Sequence, residues 1–436
     1  MPTRVIQLLP ATAIDTRLAF EEVKDFATTD MGRGGPQQWT YRVLHEPLLT
    51  EELARLSHAQ SQTCVDSVTF QPCPSFDVRS QDRLIVEEWS LFSDTWSFTA
   101  VLDGHMNHET VDYVAKHLPY MVRNDLHTRL HATATVSHSS ISEVLSQAII
   151  KVDDSIKADF LGLFPYGETT LRNANSEAVG RFVNDGLTGG NRYSRVARVL
   201  GGSTVLLTLL RKGTGDLWVA NLGDCCAVLG SKERGQWIGT FVNSVHNGDH
   251  CEAELQRVRN EHPGEPFCIA ENRVLGWLAP TRAIGDTWLN LPSYYTEKVL
   301  LHLDAPWLRT ESIKRYIPRI ITPPYVSKEP DVYHHRLRLD YTEGIVDAFL
   351  ITCSDGLLDL HNDGRSLKEI ANHWVRVAGH AMDQRTVRRN RVNLALALLH
   401  DSLGGTDERE ISRNLTVEME ERWMDDTTII VQRFIA

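Results

Sequence analysis

Aspartates recur where apolar runs of this sequence end, and their carboxylates are the side chains best placed to do chemistry. Asp103 follows the run 97–102, Asp355 is separated from the run 348–353 by a single serine, and each is followed by glycine. A carboxylate at a strand end is held rigidly, and the glycine lets the backbone turn its carbonyl toward the same point. Oxygen ligands of this kind suit hard divalent cations such as Mg²⁺ or Mn²⁺.

Three more aspartates stand at comparable positions. Asp425 comes just before the last apolar run, Asp224 follows the run 219–223, and Asp82 ends a polar stretch. A single Asp-Gly pair is more often a turn than a binding site. Several carboxylates gathered without a cation would repel one another. The ordered set therefore predicts a site for divalent cations.

Composition and charge exclude several classes of protein. Of the 436 residues, 42% are hydrophobic and 23% charged, which is typical of globular proteins. Lys and Arg number 45 against 57 Asp and Glu, so the formal charge is −12, which argues against generic nucleic-acid binding. The longest uncharged apolar run, 199–210, is shorter than the about 20 residues that a membrane-spanning helix needs. We therefore expect no membrane insertion.

The cysteines and the N-terminus bear on the compartment. Seven cysteines are scattered without a C-x-x-C motif, which indicates neither a disulfide framework nor a zinc knuckle. Residues 1–14 lack the regions of a signal peptide, and acidic residues arrive early for a mitochondrial presequence. We expect an intracellular protein, in the mitochondrial matrix or in the cytoplasm or nucleus, with no evident presequence.

Apolar periodicity divides the chain into an N-terminal extension, residues 1–65, and a main domain, residues 66–436. The extension has a weak helical pattern at 48–59. Strands are predicted at 97–102, 203–210, 217–221, 227–229, 348–353 and 427–434. Helices are predicted at 109–130, 141–160, 251–260, 367–377 and 386–403, and 161–198 is predicted to be an inserted loop region with a short helix at 176–184. Because strands and helices are segregated, we predict an α+β fold, not a doubly wound parallel sheet.

The ordered motifs resemble those of the metal-dependent protein serine/threonine phosphatases of type 2C, over roughly residues 66–436. One such motif is weak by itself, but their order is a strong signal. The matching stretches are 101–105, 202–204, 219–224, 282–286, 354–359 and 425–428. Stretches that look closer to the pyruvate dehydrogenase phosphatase branch are 261–263, 273–280, 322–325, 329–332, 335–337 and 415–430.

The resemblance implies a fold and a set of metal ligands. The fold would be a four-layer αββα arrangement, a central antiparallel β-sandwich flanked by helices, and residues 66–436 would be the catalytic domain. Asp224 and Asp359, with Asp355, correspond to a weaker third metal site, and one helical turn would bring the last two together. The implied ligands of two Mg²⁺ or Mn²⁺ ions are Asp103 as the bridge, the Gly104 carbonyl, Asp355, Asp425, and Asp82 through water.

The same resemblance implies the reaction and its partners. Two metal ions activate a water that attacks phosphoserine or phosphothreonine directly. A serine alkoxide leaves poorly without a proton, and His105 is placed to supply one; the alternative is a purely structural histidine. The implied partner is a phosphoprotein, and the branch suggests the E1 subunit of a mitochondrial 2-oxoacid dehydrogenase.

The sequence departs from the family pattern near several motifs. The arginine that binds substrate phosphate in many relatives is not in its usual place, and Arg79 is the nearest candidate. We still expect an active enzyme, because the main metal carboxylates are all present. The departures are Gln81 where Glu is usual, Met106-Asn107 for two glycines, Cys225-Cys226 for Ser-Arg, and Val245-His246-Asn247 for Asp-His-Asn.

Two other functions compete with this interpretation. A zinc hydrolase could use His105 with His108, or His246 with His250, although the residues between the second pair lack the Glu of H-E-x-x-H and break a helix. A catalytically weakened scaffold of the same fold could bind phosphoproteins or regulators without hydrolysing them. Metal-dependent release of phosphate separates the phosphatase from the scaffold.

Overall fold

A computed structural model describes residues 25–71, 80–132, 136–337, 348–361, 364–388, 392–419 and 421–434. Its strands, in chain order, are β1 (Phe26–Thr29), β2 (Trp39–Arg42), β3 (Gln60–Ser61), β4 (Val65–Phe70), β5 (Arg83–Leu91), β6 (Asp94–Leu102), β7 (Gly104–His105), β8 (Gly202–Ser203), β9 (Val205–Arg211), β10 (Asp216–Leu222), β11 (Cys226–Glu233), β12 (Gln236–Phe241), β13 (Ile269–Ala270), β14 (Arg273–Val274), β15 (Ile284–Gly285), β16 (Asp331–Arg336), β17 (Ala348–Cys353) and β18 (Thr427–Arg433).

Two large sheets form the centre of the fold. One has five strands in the order β16-β10-β9-β6-β5, and the other has six in the order β12-β11-β17-β18-β4-β3. Every strand pair in both sheets is antiparallel. A small sheet of β15, β8 and β7 joins the end of the five-stranded sheet where β6 finishes.

The two sheets pack face to face through alternate side chains of their strands. Val101, Leu206 and Val219 of the five-stranded sheet share one buried apolar cluster with Leu350 and Ile430 of the six-stranded sheet. The next residues along these strands point outward, toward helices. Both faces of the central strands are therefore buried, which explains why they read as continuous apolar runs.

Helices cover the outer faces of the sandwich or form its ends. In the described part of the chain, short 3₁₀ helices span Gly186–Thr188, Thr287–Leu289, Leu300–His302 and Ile317–Arg319. The α-helices are α1 (Leu48–Leu56), α2 (His108–Ala132), α3 (His138–Leu161), α4 (Gly167–Leu171), α5 (Ser176–Val183), α6 (Arg192–Leu200), α7 (Glu252–Glu261), α8 (Tyr294–Lys298), α9 (Thr310–Lys314), α10 (Asp355–Asp359), α11 (Leu367–Arg388), α12 (Leu394–Ser402) and α13 (Glu408–Thr416).

Each outer face of the sandwich is covered by a pair of helices. Helices α2 and α3 bury residues such as Val114 and Ile149 against the outer face of the five-stranded sheet. Helices α11 and α12 do the same with Trp374 and Leu398 on the six-stranded sheet. The three- to four-residue spacing of the buried positions makes each helix amphipathic. The predicted α+β fold with a central antiparallel sandwich between helical layers is confirmed.

Residues 25–61 pack on this sandwich. Leu49 and Leu53 of α1 are fully buried in the same cluster as α12 and α13, and β3 adds an edge strand to the six-stranded sheet. Ser412 joins the segment to α13 through its Oγ, which accepts a hydrogen bond from the Leu44 N–H over 2.9 Å. The boundary of the extension at residue 65 stays a prediction.

Two local predictions were wrong. The segment 161–198 is more helical than predicted, because α4 and most of α6 lie in it beside the expected α5. Its apolar side chains are buried in one cluster with residues from 255–326. The polar composition of the segment gave no sign of this burial. The predicted helix 386–403 is instead two elements, since α11 runs on to Arg388 and Asn393 caps a new helix α12 through the Leu396 N–H.

Candidate active site

Strand ends of the two sheets place the carboxylates together. Asp103 follows β6 of one sheet, and Asp355 begins α10 just after β17 of the other. Asp224 lies between β10 and β11, where the chain crosses from one sheet to the other. One carboxylate oxygen from each of the three lies within 4.8 Å of the other two. The sandwich thus brings together groups that are far apart in sequence.

Several oxygens of this cluster are buried without a hydrogen-bond partner. Within the described residues, this holds for the Oδ1 atoms of Asp82, Asp224 and Asp355. Asp82 and Asp224 are 4% and 1% exposed. An unpaired buried polar atom is costly, and a buried charge far more so. The donor set is all oxygen and negatively charged, and it therefore fits a hard divalent cation.

The carboxylates repel one another strongly. Burial raises the pKa of Asp103 well above its usual value of 3.8, and the charges of Asp355, Asp82 and Asp224 raise it further. Burial, reinforced by neighbouring charges, likewise raises the pKa of Asp82 to about 8, although Ser354 and Thr428 oppose the shift. A bound cation would stabilise the ionised carboxylates and so lower their pKa values.

Two further predicted residues complete the cluster at its solvent side. The single turn of α10 carries Asp359 one turn beyond Asp355. Burial, followed by the charges of Asp425 and Asp224, raises the pKa of Asp359, which indicates their proximity. The Asp425 side chain is 55% exposed, so the cluster opens to solvent.

Backbone and hydroxyl groups hold the carboxylates in place. Ser354 donates its Oγ–H to Asp82 Oδ2 over 2.7 Å and accepts from the Thr428 N–H over 2.9 Å. Gly104 is buried, and a Cβ there would lie 2.7 Å from the carbonyl oxygen of Gln81. Glycine at this position therefore lets the Asp103 strand approach the Asp82 segment closely.

His105 lies beside the cluster and is held by Asp286, whose role the sequence did not reveal. The ring Nε2–H donates to Asp286 Oδ2 over 2.7 Å, and Asp286 is fully buried. Burial opposes a positive charge on His105, but the charge and hydrogen bond of Asp286, with Asp224 and Asp425, raise its pKa above 6.5. The motif 282–286 was the available signal for Asp286.

One arginine lies beside the carboxylates at a position that the sequence analysis did not single out. Arg79 lies outside the described residues, so its role stays a prediction. Arg422, which the sequence reasoning missed, pairs with Asp426 over 2.9 Å and lies 3.9 Å from Asp425. Asp426 also accepts the Gln81 N–H over 2.6 Å. The backbone of Gln81, and not its side chain, therefore holds the segment around Asp82 against Asp426.

The other departures from the family pattern have structural roles. Asn107 accepts the Glu109 N–H at the start of α2 and donates to the Ala197 carbonyl. Cys225 and Cys226 are fully buried, and their pKa values are raised, by burial for Cys225 and by a hydrogen bond with Cys353 for Cys226. Such thiols stay protonated and unreactive.

His246, the proposed zinc ligand of the alternative hydrolase, is already fully used. Its Nδ1 accepts the Gly223 N–H, and its Nε2 donates to Asp331 over 3.0 Å. Asn247 donates to Asp224 Oδ2 over 3.3 Å. This segment therefore supports the carboxylate cluster, which argues against the zinc hydrolase.

In the described part of the chain, no helix is both long enough and apolar enough to cross a bilayer.

Comparison with known proteins gives a consistent assignment. The family model "Protein phosphatase 2C" matches residues 66–398. The human mitochondrial pyruvate dehydrogenase (acetyl-transferring) phosphatase 2 is 35% identical over 173 residues, which cover 38% of this chain but only 31% of that relative. A protein phosphatase 2C homolog of Schizosaccharomyces pombe is 26% identical over 383 residues, covering 83% of this chain and 79% of the relative.

Solved structures include a serine-threonine phosphatase 2C from Toxoplasma gondii, with a TM-score of 0.45, 18% identity, and coverage of 86% of this chain and 96% of that one. The predicted resemblance to the pyruvate dehydrogenase phosphatases is confirmed by the curated relatives. Since the family model spans well over half of its length, the chain belongs to the protein phosphatase 2C family.

Proposed function

We propose that this chain is a Mg²⁺- or Mn²⁺-dependent protein serine/threonine phosphatase. The observation that carries the proposal is the convergence of Asp103, Asp224 and Asp355, whose carboxylate oxygens lie within 4.8 Å of one another. Family membership supports the same reaction. The family's general dependence on Mg²⁺ or Mn²⁺ agrees with the all-oxygen donor set.

Seven residues are the proposed metal ligands. When bound, the ions supply an activated water nucleophile and neutralise charge on the phosphate. The protein's own contribution is to hold the carboxylates at fixed strand ends before the ions arrive. Asp103, the Gly104 carbonyl, Asp355, Asp425 and, through water, Asp82 would hold two ions, and Asp224 and Asp359 would hold a third together with Asp355.

His105 is the proposed general acid. Because its Nε2–H is held by Asp286, Nδ1 is the nitrogen that can give a proton to the departing serine oxygen. The side chain is 24% exposed, so a substrate can reach it. Its raised pKa keeps the ring protonated closer to neutral pH, as a general acid requires.

The relatives suggest a substrate class. The human relative named above is a mitochondrial pyruvate dehydrogenase phosphatase, and we infer a phosphorylated E1 subunit of a 2-oxoacid dehydrogenase as the substrate, in the mitochondrial matrix. Residues 66–436 would be the catalytic domain, with Arg79 as the proposed phosphate ligand. Fractionation of cells tests the compartment. A cytosolic location would contradict the proposal that the substrate is a mitochondrial E1 subunit.

The decisive experiment measures phosphate release from a phosphoserine peptide of E1 with and without Mg²⁺ or Mn²⁺. We expect release that needs the ion, stops on chelation, and is lost in Asp103→Ala. The matched control is Asp304→Ala, which removes an exposed aspartate from a surface loop and should leave turnover unchanged. If the wild-type chain binds the phosphopeptide without releasing phosphate, it is the weakened scaffold instead.

A further inference from the structure

A second group of metal-binding side chains lies outside the carboxylate cluster. It consists of His138, Asp216 and His334, each of which offers one ligand atom within 4.8 Å of the other two. The Nε2 atoms of His138 and His334 lie 3.5 and 3.1 Å from Asp216 Oδ1. The two imidazole rings stack with their centroids 3.9 Å apart.

The group lies at the end of the five-stranded sheet opposite to the proposed active site. Asp216 begins β10, whereas Asp224 comes two residues after its last residue, Leu222. At the rise of an extended strand, β10 alone separates its two ends by about 20 Å. The two clusters therefore share no ligand and lie too far apart to bind one ion.

Three regular elements fix the positions of these side chains. His138 is the first residue of α3, and its carbonyl accepts the indole N–H of Trp218 over 3.2 Å. In the register of β10 with β16, His334 lies opposite Trp218, and Asp216 lies opposite Arg336. Diagonal neighbours two residues apart share one face of a sheet. His334 and Asp216 therefore lie on the same face.

The distances suit a tetrahedral ion. Bonds of about 2.0–2.2 Å at tetrahedral angles place ligand atoms about 3.3–3.6 Å apart, close to the 3.5 and 3.1 Å between the two Nε2 atoms and Asp216 Oδ1. The two ring planes are only 23° apart, so the ring of His138, whose side chain is 55% exposed, turns to direct its nitrogen at the same ion as His334. Asp216 is 3% exposed, and Thr214 donates to its other oxygen, Oδ2, over 2.5 Å. That second bond orients the carboxylate and leaves Oδ1 directed at the two rings. Two imidazole nitrogens with one carboxylate oxygen favour Zn²⁺ over Mg²⁺.

We propose that His138, Asp216 and His334 bind one Zn²⁺ ion, with water as the fourth ligand. Both rings bind through Nε2 as neutral imidazoles, so the proton on His334 Nε2 moves to Nδ1 or to solvent. Arg336 Nη1 also lies 3.0 Å from Asp216 Oδ1, but its side chain is 60% exposed and can turn into solvent when the ion enters. The site is independent of the proposed phosphatase activity.

Zn²⁺ titration by calorimetry, in excess Mg²⁺ to occupy the oxygen site, tests the proposal. We expect Zn²⁺ affinity at this site to fall at least about 10–100-fold in His334→Gln, the scale that metal-site changes produce. The matched control is His380→Gln, which changes an exposed histidine on α11 and should bind Zn²⁺ as wild type does. Mg²⁺-dependent activity should be equal in all three proteins.

A second variant guards against misfolding. His138 is 55% exposed on its side chain, so His138→Gln should fold normally and lose Zn²⁺ in the same way. X-ray absorption of the Zn²⁺-loaded wild type should report two imidazole ligands. Unchanged Zn²⁺ affinity in the folded double variant His138→Gln/His334→Gln, or an equal loss in His380→Gln, would overturn the proposal.

Discussion

The Nε2 atom of His105 lies 2.7 Å from Oδ2 of Asp286, a residue 181 positions later in the chain. Asp286 adopts a φ of +45°, a left-handed conformation that is uncommon for a non-glycine residue and is often found at functional sites. Gly202 lies against the pair, and a Cβ there would collide with both side chains. The left-handed backbone at Asp286 and the glycine at position 202 thus both allow the hydrogen bond between His105 and Asp286 to form.

The first prediction concerns the proton that His105 would donate. His105→Gln should slow hydrolysis of a phosphoserine peptide by about 10²–10⁴-fold, because serine leaves poorly without general acid catalysis. Hydrolysis of p-nitrophenyl phosphate should fall much less, since nitrophenolate departs without a proton. The measurement is kcat on both substrates at saturating Mn²⁺. Equal losses would mean that His105 positions phosphate or supports the metal site.

Asp286 is predicted to act through His105 as a positioning residue. Asp286→Asn should slow hydrolysis of the phosphoserine peptide, but by a smaller factor than His105→Gln does. The rate of p-nitrophenyl phosphate hydrolysis should change little. In a His105→Gln background the same change should have little further effect, because residues that act as a unit are not additive. Full additivity in this double-mutant comparison would contradict the assignment. Gly202→Ala should resemble Asp286→Asn.

Removing a carboxylate from the metal site should change stability and ion binding in opposite directions. Asp355→Asn should raise the Tm of the metal-free protein, because one of the mutually repelling charges is lost. The rise in Tm that Mg²⁺ or Mn²⁺ gives the wild type should largely disappear. Thermal melts with and without the ions measure both effects. An unchanged ion-dependent shift would remove Asp355 from the ligand set.

A buried carboxyl away from the metal ligands should make stability depend on pH. Asp153 accepts the Gly285 N–H over 2.9 Å, and burial raises its pKa from 3.8 to about 6 despite that hydrogen bond and Lys328. A raised pKa in the folded state means that folding favours the protonated form. Its contribution to stability is complete below pH 3.8 and is lost as the pH rises through about 6.

Asp153→Asn should therefore increase the free energy of unfolding by up to about 3 kcal/mol at neutral pH, and the gain should vanish below the unfolded-state pKa. Urea unfolding at several pH values measures it. The neighbouring Asp154→Asn is the matched control, since its side chain is 54% exposed and should give no such pH-dependent gain. A gain that does not vary with pH would contradict the prediction.

Residues 25–61 are predicted to unfold together with the sandwich. Leu53→Ala should lower the free energy of unfolding by about 2–5 kcal/mol, the usual cost of emptying a core leucine site, because Leu53 is fully buried beside α12 and α13. Leu48→Ala, at a side chain 45% exposed, should cost little. A separate early transition in urea would show instead that this segment unfolds by itself.

Local patterns in the sequence determined the elements and the candidate carboxylates. Both ends of strand β17 were predicted correctly, and those of helices α2 and α3 to within three residues. The periodicity of apolar residues and the flanking turn residues are local signals, which depend on a few neighbouring positions. The Asp-Gly strand ends, taken in order, were sufficient to predict a cation site before any distance was known. Within 161–198 the short helix α5 was predicted, but helices α4 and α6 were not, because the apolar positions of this segment are buried against residues 255–326, far away in sequence.

Only the tertiary structure decided which side chains meet. Nothing in the sequence pairs His105 with Asp286, brings Arg422 to Asp426, or places His138 beside Asp216 and His334. These contacts join residues on different strands and helices, and their geometry depends on sheet order, register and the packing of whole layers. Periodicity reports which face of an element is buried, but not which element lies against it, since that choice depends on contacts distributed over the entire core.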